Sequence, residues 1–402
     1  DTRARVEDVD AHVSAIQDGA YAYEPIRVGV AHSIFQQIGE QLLQAAGRPC
    51  AVVGTLGVGQ PGGDWLATGL TTPDPITLHR MLASAAAEGV THAAMEASSH
   101  GLDQRRLDGV RLKAAGFTNF TQDHLDYHKT FEAYFAAKAG LFSRILPPDG
   151  TAVINLDDPK GAELAALVRD KGQGLITVGH GAEADLRLLA HRYDATGQDL
   201  RLSWQGQPHQ IRLNLIGGFQ AENVTLAAGL AIAAGEAPAD VFAVLPKLTG
   251  VRGRMQLAGT RKNGASVFVD YAHTPDAIAT ALQALRPHVM GRVIIVFGAG
   301  GDRDTGKRPE MGAVAVADSD IVIVTDDNPR SEDPSLIRAD VMAGAKGAHE
   351  IGDRHYAIAF AIEHAEPDDI VLIAGKGHEQ GQIIMGRVLP FDDVEVAREC
   401  AA

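Results

Sequence analysis

Cysteine is scarce in this sequence of 402 residues, which has only Cys50 and Cys400. The two lie far apart and have neither the closely spaced pattern of a disulfide framework nor the spacing of a metal site. Their scarcity favours a reducing compartment. We therefore expect the protein to be cytoplasmic.

Long apolar runs and an excess of basic residues are also missing. No apolar stretch approaches the ~18 residues of a membrane span, and the start, Asp1-Thr2-Arg3, lacks the layout of a signal peptide. The formal net charge of −15 argues against nucleic acid or a membrane surface as a partner. We expect a monomer that acts on small molecules, without membrane insertion.

Strand-like and helix-like segments alternate through most of the chain, which predicts a doubly wound α/β fold. In the first half the predicted strands are 51–54, 91–96, 115–118 and 151–154, and the predicted helices are 77–88 and 130–145. Short runs within 183–216 predict antiparallel strands, and a helix-rich stretch follows at 220–246. A second α/β unit begins near Arg252, with predicted strands at 266–270, 293–297, 321–325 and 370–373.

The junction at Val30 and Ala31 has no residues for a turn. A strand pattern from Ile26 to Val30 is followed at once by a helical pattern that starts at Ala31 and ends near Gly47. Strand-to-helix connections normally take ~2–6 residues. The sequence therefore predicts that a loop is absent here, either deleted or left out because it is disordered. An intact mass near 42.4 kDa would exclude omission.

Three polar clusters follow apolar strand-like runs in the last hundred residues. They are Gly301-Asp302-Arg303-Asp304, Asp327-Asn328-Pro329-Arg330 and Gly375-Lys376-Gly377-His378-Glu379. In open α/β sheets, ligands bind beyond the carboxyl ends of the strands. We therefore expect one pocket, and its mixture of arginines, carboxylates and a lysine suits a ligand with several charged ends, such as a diamino acid. Pro329 stiffens the backbone that presents Arg330, whose guanidinium can grip a carboxylate, while Asp327 and Asn328 can accept from an ammonium.

Two further clusters follow predicted strands in the first half. Glu96, followed in the chain by Ser98 and Ser99, is a plausible Mg²⁺ and phosphate site. Taken alone, however, this motif favours helix or turn capping by Ser98 or Ser99. The loop 118–128 contains His124 and His128, whose spacing could place both on one helical face. Taken alone, Lys138 would be a solvated lysine on the helix that follows.

The cluster Asp270–Asp276 ends a strand in the second half. Pro275 pre-sets a turn and Asp276 can cap the next helix, which explains the end of this cluster as loop chemistry. Tyr271 and His273 are not explained in this way, and they could stack on a base or hydrogen-bond to it.

In this order, these motifs and Lys138 resemble the Mur ligase family, and within it the branch that adds meso-diaminopimelate to a UDP-muramoyl dipeptide. The resemblance covers about residues 26–402. It implies a central ATPase-type ligase domain at 28–250 and a C-terminal, Rossmann-like amino-acid-binding domain at 251–402. Residues 1–27 would be a remnant of an N-terminal UDP-substrate domain.

The resemblance also implies the chemistry. ATP and Mg²⁺ would convert a carboxylate to an acyl phosphate, and an amine would then attack it during peptidoglycan synthesis and cell wall biogenesis. Glu96, His124 and Lys138 would be the catalytic and metal-binding residues, with Lys138 carbamylated.

Substrate positions follow from the same resemblance. The UDP-muramoyl dipeptide would be held by Thr2, Thr71, Thr72, Ser98, Gln104 and Arg106. ATP would be held by Asn223, Arg254, Asp270 and His273, with Gln220 standing where relatives carry asparagine. The added amino acid would be held by Arg303, Asp327, Asn328, Pro329, Arg330, Gly375 and Glu379.

One element of the family pattern is absent. A phosphate loop of the kind Gly-x-x-Gly-Lys-Thr, which would hold the ATP phosphates, belongs between Val30 and Ala31. This absence motivates one alternative to the diaminopimelate-adding ligase, a catalytically inactive homologue that binds substrate. A lysine-adding ligase and a folylpolyglutamate-type ligase are two further alternatives, and the sequence of Asp327–Arg330 disfavours both.

Overall fold

The computed structural model describes residues 27–31, 35–55, 57–60, 65–66, 68–120, 125–250 and 252–402. They divide into two compact units. The first contains the described residues up to Ala190, with Leu200–Ile211 and Ala221–Leu248, and the second contains His191–Asp199, Arg212–Gln220 and Thr249–Ala402. The domain limits expected at residues 27 and 250 remain predictions.

Among the described residues, eleven strands form one sheet in the order β11-β10-β9-β8-β7-β6-β1-β5-β2-β3-β4. They are β1 Arg27–Ala31, β2 Cys50–Gly54, β3 Gly57–Gly59, β4 Trp65–Leu66, β5 His92–Glu96, β6 Leu112–Phe117, β7 Thr151–Asn155, β8 Gly174–Gly179, β9 Leu186–Asp194, β10 Gly197–Trp204 and β11 Gln207–Leu213. The strands from β2 through β5, β1, β6, β7 and β8 to β9 pair in parallel, whereas β2–β3 and β3–β4 are antiparallel.

Several helices in this part of the chain begin at sequence signals for a helix start. Asp74 and Asp158 accept hydrogen bonds as N-caps, and proline follows each of them at the first helical position. The helices are Phe35–Ala45, Pro75–Ala87, Ser99–Asp103, Leu125–His128, Phe131–Gly140, Pro159–Asp170, Gly218–Ala233 and Pro238–Val244, with a π-helix at Leu141–Ile145 and a 3₁₀ turn at Leu245–Lys247.

Six further strands of the described part form a second sheet in the order β12-β13-β17-β14-β15-β16, and β18 and β19 form a hairpin. They are β12 Gln256–Thr260, β13 Ser266–Asp270, β14 Val293–Phe297, β15 Ile321–Val324, β16 His349–Glu350, β17 Ile370–Ala374, β18 Gly381–Ile384 and β19 Arg387–Pro390. The helices are Pro275–Leu285, Lys307–Asp318, Pro334–Gly344, Arg354–Glu363 and Asp393–Ala401, with a 3₁₀ turn at Arg286–His288.

The central strands of the second sheet are buried on both faces and end at a common edge. Strands β13, β14 and β17 are fully buried, as apolar parallel strands should be. The register pairs Asp270 with Ala374 and Phe297 with Val324. The loops that follow these four residues therefore leave the sheet at the same edge, where the sequence predicts a pocket.

The predicted alternation of strands and helices is confirmed, with shifts at some ends. Strand β1 continues through Ala31, which the sequence pattern assigned to a helix, and the helix begins at Phe35. Residues 32–34 lie outside the described residues. The helix after β13 is capped by Thr274 and not by Asp276, because the Thr274 hydroxyl accepts from the Ala277 amide at 3.2 Å.

Candidate active site

Three polar loops at the edge of the six-stranded sheet are hydrogen-bonded to one another. The Gly301 amide donates to the Asn328 carbonyl at 2.9 Å, and Arg330 Nη1 donates to the Gly301 carbonyl at 2.7 Å. Asn328 Nδ2 donates to Glu379 Oε2 at 2.8 Å. The structure thus brings together the three clusters that the sequence assigned to one pocket.

Asp327 places a buried carboxylate among these three loops. The residue is 6% exposed, and no hydrogen bond among the described residues ends on its carboxylate oxygens. Burial raises the pKa of Asp327, while the positive charges of Arg354 and Lys376 oppose that rise. A carboxylate in these surroundings favours a cation such as a ligand ammonium.

Lys376 donates hydrogen bonds to the side chains of both Asn328 and Glu379. The lysine side chain is fully buried, and its Nζ donates to Asn328 Oδ1 at 3.1 Å, to Glu379 Oε2 at 3.3 Å and to the Gly381 carbonyl at 2.5 Å. Asn328 Oδ1 also accepts from the Ile383 amide at 2.9 Å. Two protein donors therefore occupy the oxygen of Asn328, which the sequence had offered to a ligand ammonium.

Arg330 is held in a strained backbone conformation beside Pro329. Its φ is +54°, in a region that residues other than glycine rarely adopt. The hairpin fixes it there: the Arg330 amide donates to the Ile383 carbonyl at 2.9 Å, and the Met385 amide donates to the Arg330 carbonyl at 2.7 Å. Strain held by surrounding bonds is typical of binding sites.

Arg303 is exposed on the first of the three loops. The loop around it is fixed by Asp302, whose amide donates to Glu332 Oε1 at 2.5 Å and whose carboxylate accepts from the Ser331 hydroxyl at 2.6 Å. Buried Arg308 donates to Glu332 at 2.8 Å. Arg303 is thus mounted on a fixed loop with its side chain in solvent.

The residues expected to face ATP in this unit also lie close together. Asp270 is 8% exposed and accepts from the Met255 and Ala272 amides at 2.7 and 2.8 Å. Burial raises the pKa of Asp270, and these hydrogen bonds and Arg254 act in the opposite direction.

Tyr271 lies between Arg254 and two histidines. The Arg254 guanidinium lies 4.9 Å from the Tyr271 ring centre, and the ring centres of His273 and His378 lie 4.7 and 5.2 Å from it. Such a group can stack on a base. Asn223 lies in the first compact unit, on the helix Gly218–Ala233.

In the first unit, Glu96 ends strand β5 and contacts Thr55. Glu96 is 8% exposed, and its Oε2 accepts from the Thr55 hydroxyl at 2.9 Å and from the Thr55 amide at 3.3 Å. The hydroxyls of Thr55 and Thr71 are 3.1 Å apart. Carboxylate and hydroxyl oxygens are the hard ligands that Mg²⁺ prefers, so these residues fit the metal that the family implies.

Four of the residues expected to hold the dipeptide substrate form one network. The Thr72 hydroxyl donates to the Glu96 carbonyl at 3.1 Å and lies 3.2 Å from the Ser98 hydroxyl. Arg106 donates to the Thr72 carbonyl at 2.8 Å and to Gln104 Oε1 at 3.0 Å. Ser98 also caps the helix Ser99–Asp103 through the Gly101 amide at 3.1 Å, so the capping interpretation is correct for that serine.

Lys138 is buried. The prediction of a solvated lysine, made from the helical pattern alone, is therefore wrong. The residue is 9% exposed, and its Nζ lies 5.2 Å from the Tyr134 ring centre. His128, at 8% exposure, stacks on the same tyrosine with ring centres 5.1 Å apart. Burying an ammonium is expensive, so this position favours a modified or compensated lysine.

Some expected site residues cannot be placed. Thr2 and His124 lie outside the described residues, so their predicted roles stay predictions. In the part of the chain that the structure describes, no group of three or more His, Cys, Asp or Glu side chains is arranged to hold a metal.

Within the same part, no helix is long and apolar enough to cross a membrane.

Strand β1 ends beside Glu96, where the family pattern requires a phosphate loop. Ala31 pairs with Glu96 on one side and with Gly116 on the other. The helix begins at Phe35, and no Gly-Lys-Thr or Gly-Lys-Ser sequence occurs in the chain. The Gly-Lys-Thr or Gly-Lys-Ser segment of such a phosphate loop is therefore absent from the sequence.

The pattern of the Mur ligase middle domain matches residues 34–231, and that of the Mur ligase glutamate ligase domain matches residues 253–377. The chain belongs to the Mur ligase family.

Named relatives within the family are close. The UDP-N-acetylmuramoyl-L-alanyl-D-glutamate–2,6-diaminopimelate ligase of Caulobacter vibrioides is 53% identical over 359 residues, which cover 88% of this chain and 74% of the relative. The enzyme of the same name from Bradyrhizobium diazoefficiens is 51% identical over 365 residues, or 90% of this chain and 75% of the relative.

Solved structures of Mur ligases share the fold. A UDP-N-acetylmuramoyl-L-alanyl-D-glutamate–2,6-diaminopimelate ligase is similar with a TM-score of 0.77 and 38% identity, over 95% of this chain and 80% of that one. Folylpolyglutamate synthase of Mycobacterium tuberculosis, solved with ADP and AMPPCP, has a TM-score of 0.65 at 20% identity, over 91% and 92% of the two chains. The second likeness supports the α/β fold alone.

Proposed function

We propose that this protein is an ATP-dependent amide ligase that joins meso-diaminopimelate to UDP-N-acetylmuramoyl-L-alanyl-D-glutamate in peptidoglycan synthesis. The observation that carries the proposal is the pocket at the edge of the six-stranded sheet, where buried Asp327 lies in one loop with Arg330 and the neighbouring loop provides Glu379. Carboxylates and a guanidinium suit a ligand with both ammonium and carboxylate groups. The names of the relatives support the same substrate.

The proposed reaction has two steps. The γ-carboxylate of the substrate's D-glutamate attacks the terminal phosphoryl group of ATP, which forms an acyl phosphate and releases ADP. The amine of diaminopimelate then attacks the acyl carbon. The tetrahedral intermediate loses phosphate and a proton, and the amide remains.

The residues of this chain have distinct roles in that proposal. Arg330 and Arg303 bind carboxylate of the incoming amino acid, Asp327 accepts from its ammonium, and Gly375 and Glu379 complete the pocket. Thr71, Thr72, Ser98, Gln104 and Arg106 hold the UDP-muramoyl dipeptide, with Thr2 from the N-terminal segment. Arg254, Asp270, His273 and Asn223 face the nucleotide.

Glu96, His124 and carbamylated Lys138 are the proposed ligands and supports of Mg²⁺. When bound, Mg²⁺ neutralises the crowded phosphate oxygens. Thr55 joins this set because its hydroxyl and amide both bond to Glu96.

A second candidate function is a homologue that binds the UDP-dipeptide and the amino acid without joining them. One observation favours it, namely that no Gly-Lys-Thr or Gly-Lys-Ser sequence follows strand β1. Backbone amides and a lysine in such a loop are what normally hold ATP phosphates.

A substrate screen with the full chain distinguishes these functions. ATP, Mg²⁺ and the UDP-dipeptide are kept constant while meso-diaminopimelate, L-lysine and L-glutamate are varied, and phosphate release and product mass are measured. A tripeptide product with diaminopimelate alone supports the ligase, and a product with lysine or glutamate identifies one of the other ligases. UDP-dipeptide binding by calorimetry without any product supports the inactive homologue.

We also propose that the protein is a monomer in the cytoplasm, where its substrates are soluble small molecules. Light scattering after size-exclusion chromatography tests the first point. A mass of twice that of the chain would contradict it.

A further inference from the structure

Arg354 and Asp393 form a buried ion pair behind the amino-acid pocket. Each opens a helix, Arg354–Glu363 and Asp393–Ala401 respectively. Both side chains are 0% exposed. Arg354 Nε donates to Asp393 Oδ1 at 2.8 Å and Nη2 donates to Asp393 Oδ2 at 2.7 Å, so the contact is bidentate.

The same guanidinium bonds to the main chain where two pocket loops begin. Its Nη2 donates to the Ala374 carbonyl at 3.0 Å, and its Nη1 is 3.3 Å from the Asp326 carbonyl. Ala374 directly precedes Gly375, and Asp326 directly precedes Asp327. One side chain therefore joins the starting points of both loops.

We propose that Arg354, oriented by Asp393, is a positioning residue for the incoming amino acid, because it fixes the Asp327–Arg330 loop against the Gly375–Glu379 loop. The inference rests on the function proposed above and extends it to residues outside the pocket. With its side chain fully buried, Arg354 acts through the loops and makes no contact with the ligand.

Stability alone is a poor explanation for such a pair. Removing two charges from water is expensive, and apolar residues of similar volume often replace a buried ion pair with little loss of stability. An apolar pair, however, has no hydrogen-bond donors for the Ala374 and Asp326 carbonyls. The geometry of the two loops is therefore the property that depends on Arg354.

Arg354 also affects the charge of Asp327. The groups that act on this carboxylate are Arg354 and Lys376, which favour its ionised form, and Asp393 and Glu379, which oppose it. Without Arg354, Lys376 alone would balance three carboxylates. Asp327 would then be protonated at a higher pH, and its attraction for a ligand ammonium would fail there.

A second buried carboxylate of the same unit provides a matched control. Asp369 accepts from Arg292 Nη2 at 2.7 Å and from Arg292 Nε at 3.1 Å. Its side chain is 2% exposed. Asp369 precedes β17 and Arg292 precedes β14, so this pair lies at the opposite edge of the same sheet from the pocket.

The test measures calorimetric binding of meso-diaminopimelate to the full chain, saturated with the UDP-dipeptide, across a range of pH. The variants are Asp393→Asn, Arg354→Lys, the double variant Arg354→Met with Asp393→Leu, and the control Asp369→Asn. Urea unfolding of each variant measures stability separately.

We expect the double variant to fold and to bind diaminopimelate at least ~10-fold more weakly, which is about the effect of one lost charge-assisted contact. Its binding should fail at a slightly higher pH than that of the unaltered chain, because the lost Arg354 charge acts on Asp327 more strongly than the lost Asp393 charge, which opposes it. Arg354→Lys should recover part of the affinity because a donor and a charge remain, and Asp369→Asn should leave affinity within about twofold of the unaltered chain.

Three results would overturn the inference. A folded double variant with unaltered affinity and pH profile removes the positioning role. An equal loss of affinity in Asp369→Asn assigns the effect to general destabilisation. If the unaltered chain binds no diaminopimelate, the proposed function fails first and the inference fails with it.

Discussion

Gly375 occupies a position in the pocket that only glycine fits. Its φ is +116°, and a Cβ built on it would lie 2.5 Å from Asp327 Oδ2. L residues are strained at such a φ, and the contact would displace the carboxylate expected to bind the ligand ammonium.

Gly375→Ala should therefore lower the free energy of unfolding by ~1–3 kcal/mol and weaken diaminopimelate binding. Urea unfolding and calorimetry measure the two effects. Gly347→Ala is the control, because Gly347 has φ +85° with open space around it. It should lose stability through strain alone and keep its affinity, and equal affinity losses in both variants would contradict this account.

Arg330 is the guanidinium that we expect to bind a ligand carboxylate. Arg330→Ala should raise KM for diaminopimelate by ~10-fold or more and leave KM for ATP almost unchanged, because a bidentate charged contact is lost from one substrate only. Steady-state kinetics, or calorimetry if turnover is absent, measures this. Arg387→Ala, on exposed strand β19, is the control. Equal effects on both substrates would refute the assignment.

The raised pKa of Asp327 predicts a pH dependence. Above that pKa the carboxylate attracts an ammonium, and below it the neutral acid does not, so diaminopimelate binding should weaken as the pH falls. The contribution of Asp327 to the free energy of unfolding depends on pH in the opposite direction. That contribution is fully present below the pKa of Asp327 in the unfolded chain, and it is lost as the pH rises through the raised pKa in the folded protein. Asp327→Asn should flatten both dependences, and calorimetry and urea unfolding over pH check them.

At the scale of elements, helix caps connect the strand ends to the loops of the first unit. Asp158 accepts from the Lys160 amide at 2.8 Å as the cap of Pro159–Asp170, and from the Phe120 amide at 2.7 Å. One side chain thus fixes a helix start and the loop after β6.

Asp158→Ala should lower the free energy of unfolding by ~1–2 kcal/mol, because a cap and a second hydrogen bond are both lost. Chemical denaturation measures the change. Asp149→Ala is the control, since Asp149 is exposed, and it should change stability by less than ~0.5 kcal/mol. A similar loss in both variants would show that the cap contributes little.

At the scale of the whole molecule, the three polar loops proposed to bind the amino acid are present, whereas the phosphate loop that the family resemblance implies is absent from the sequence. Strand β1 pairs with Glu96 at Ala31, but the chain has no Gly-Lys-Thr or Gly-Lys-Ser sequence. Phosphoryl transfer from ATP is therefore the step of the proposed reaction that the missing loop between Val30 and Ala31 should affect most.

Insertion of a Gly-x-x-Gly-Lys-Thr loop between Val30 and Ala31 should raise ATP turnover by ~100-fold or more, because it supplies amides and a lysine to the phosphates. Phosphate release with the UDP-dipeptide and diaminopimelate measures this. The same insertion with alanine in place of the lysine should not raise ATP turnover to this extent. Equal turnover with and without the insertion would show that other residues hold the phosphates.

The sequence by itself determined the α/β fold and the three polar loops proposed to bind the amino acid. The short runs Val293–Phe297 and Ile370–Ala374 are apolar and rich in β-branched residues, as buried parallel strands are, and polar clusters follow them directly. The helix cap at Ser98 follows from the same local chemistry, whereas the cap after β13 is Thr274 and not the predicted Asp276. Such signals are local, because strand burial and helix capping depend on residues close in the chain.

Only the tertiary structure decided which side chains are free for a ligand and which are used inside the protein. Lys376 belongs to a pocket motif but is fully buried and bonded to Asn328 and Glu379. Arg354 has no motif around it, yet it joins two pocket loops. Burial and long-range hydrogen bonds depend on residues distant in sequence, and a linear pattern carries no signal for them.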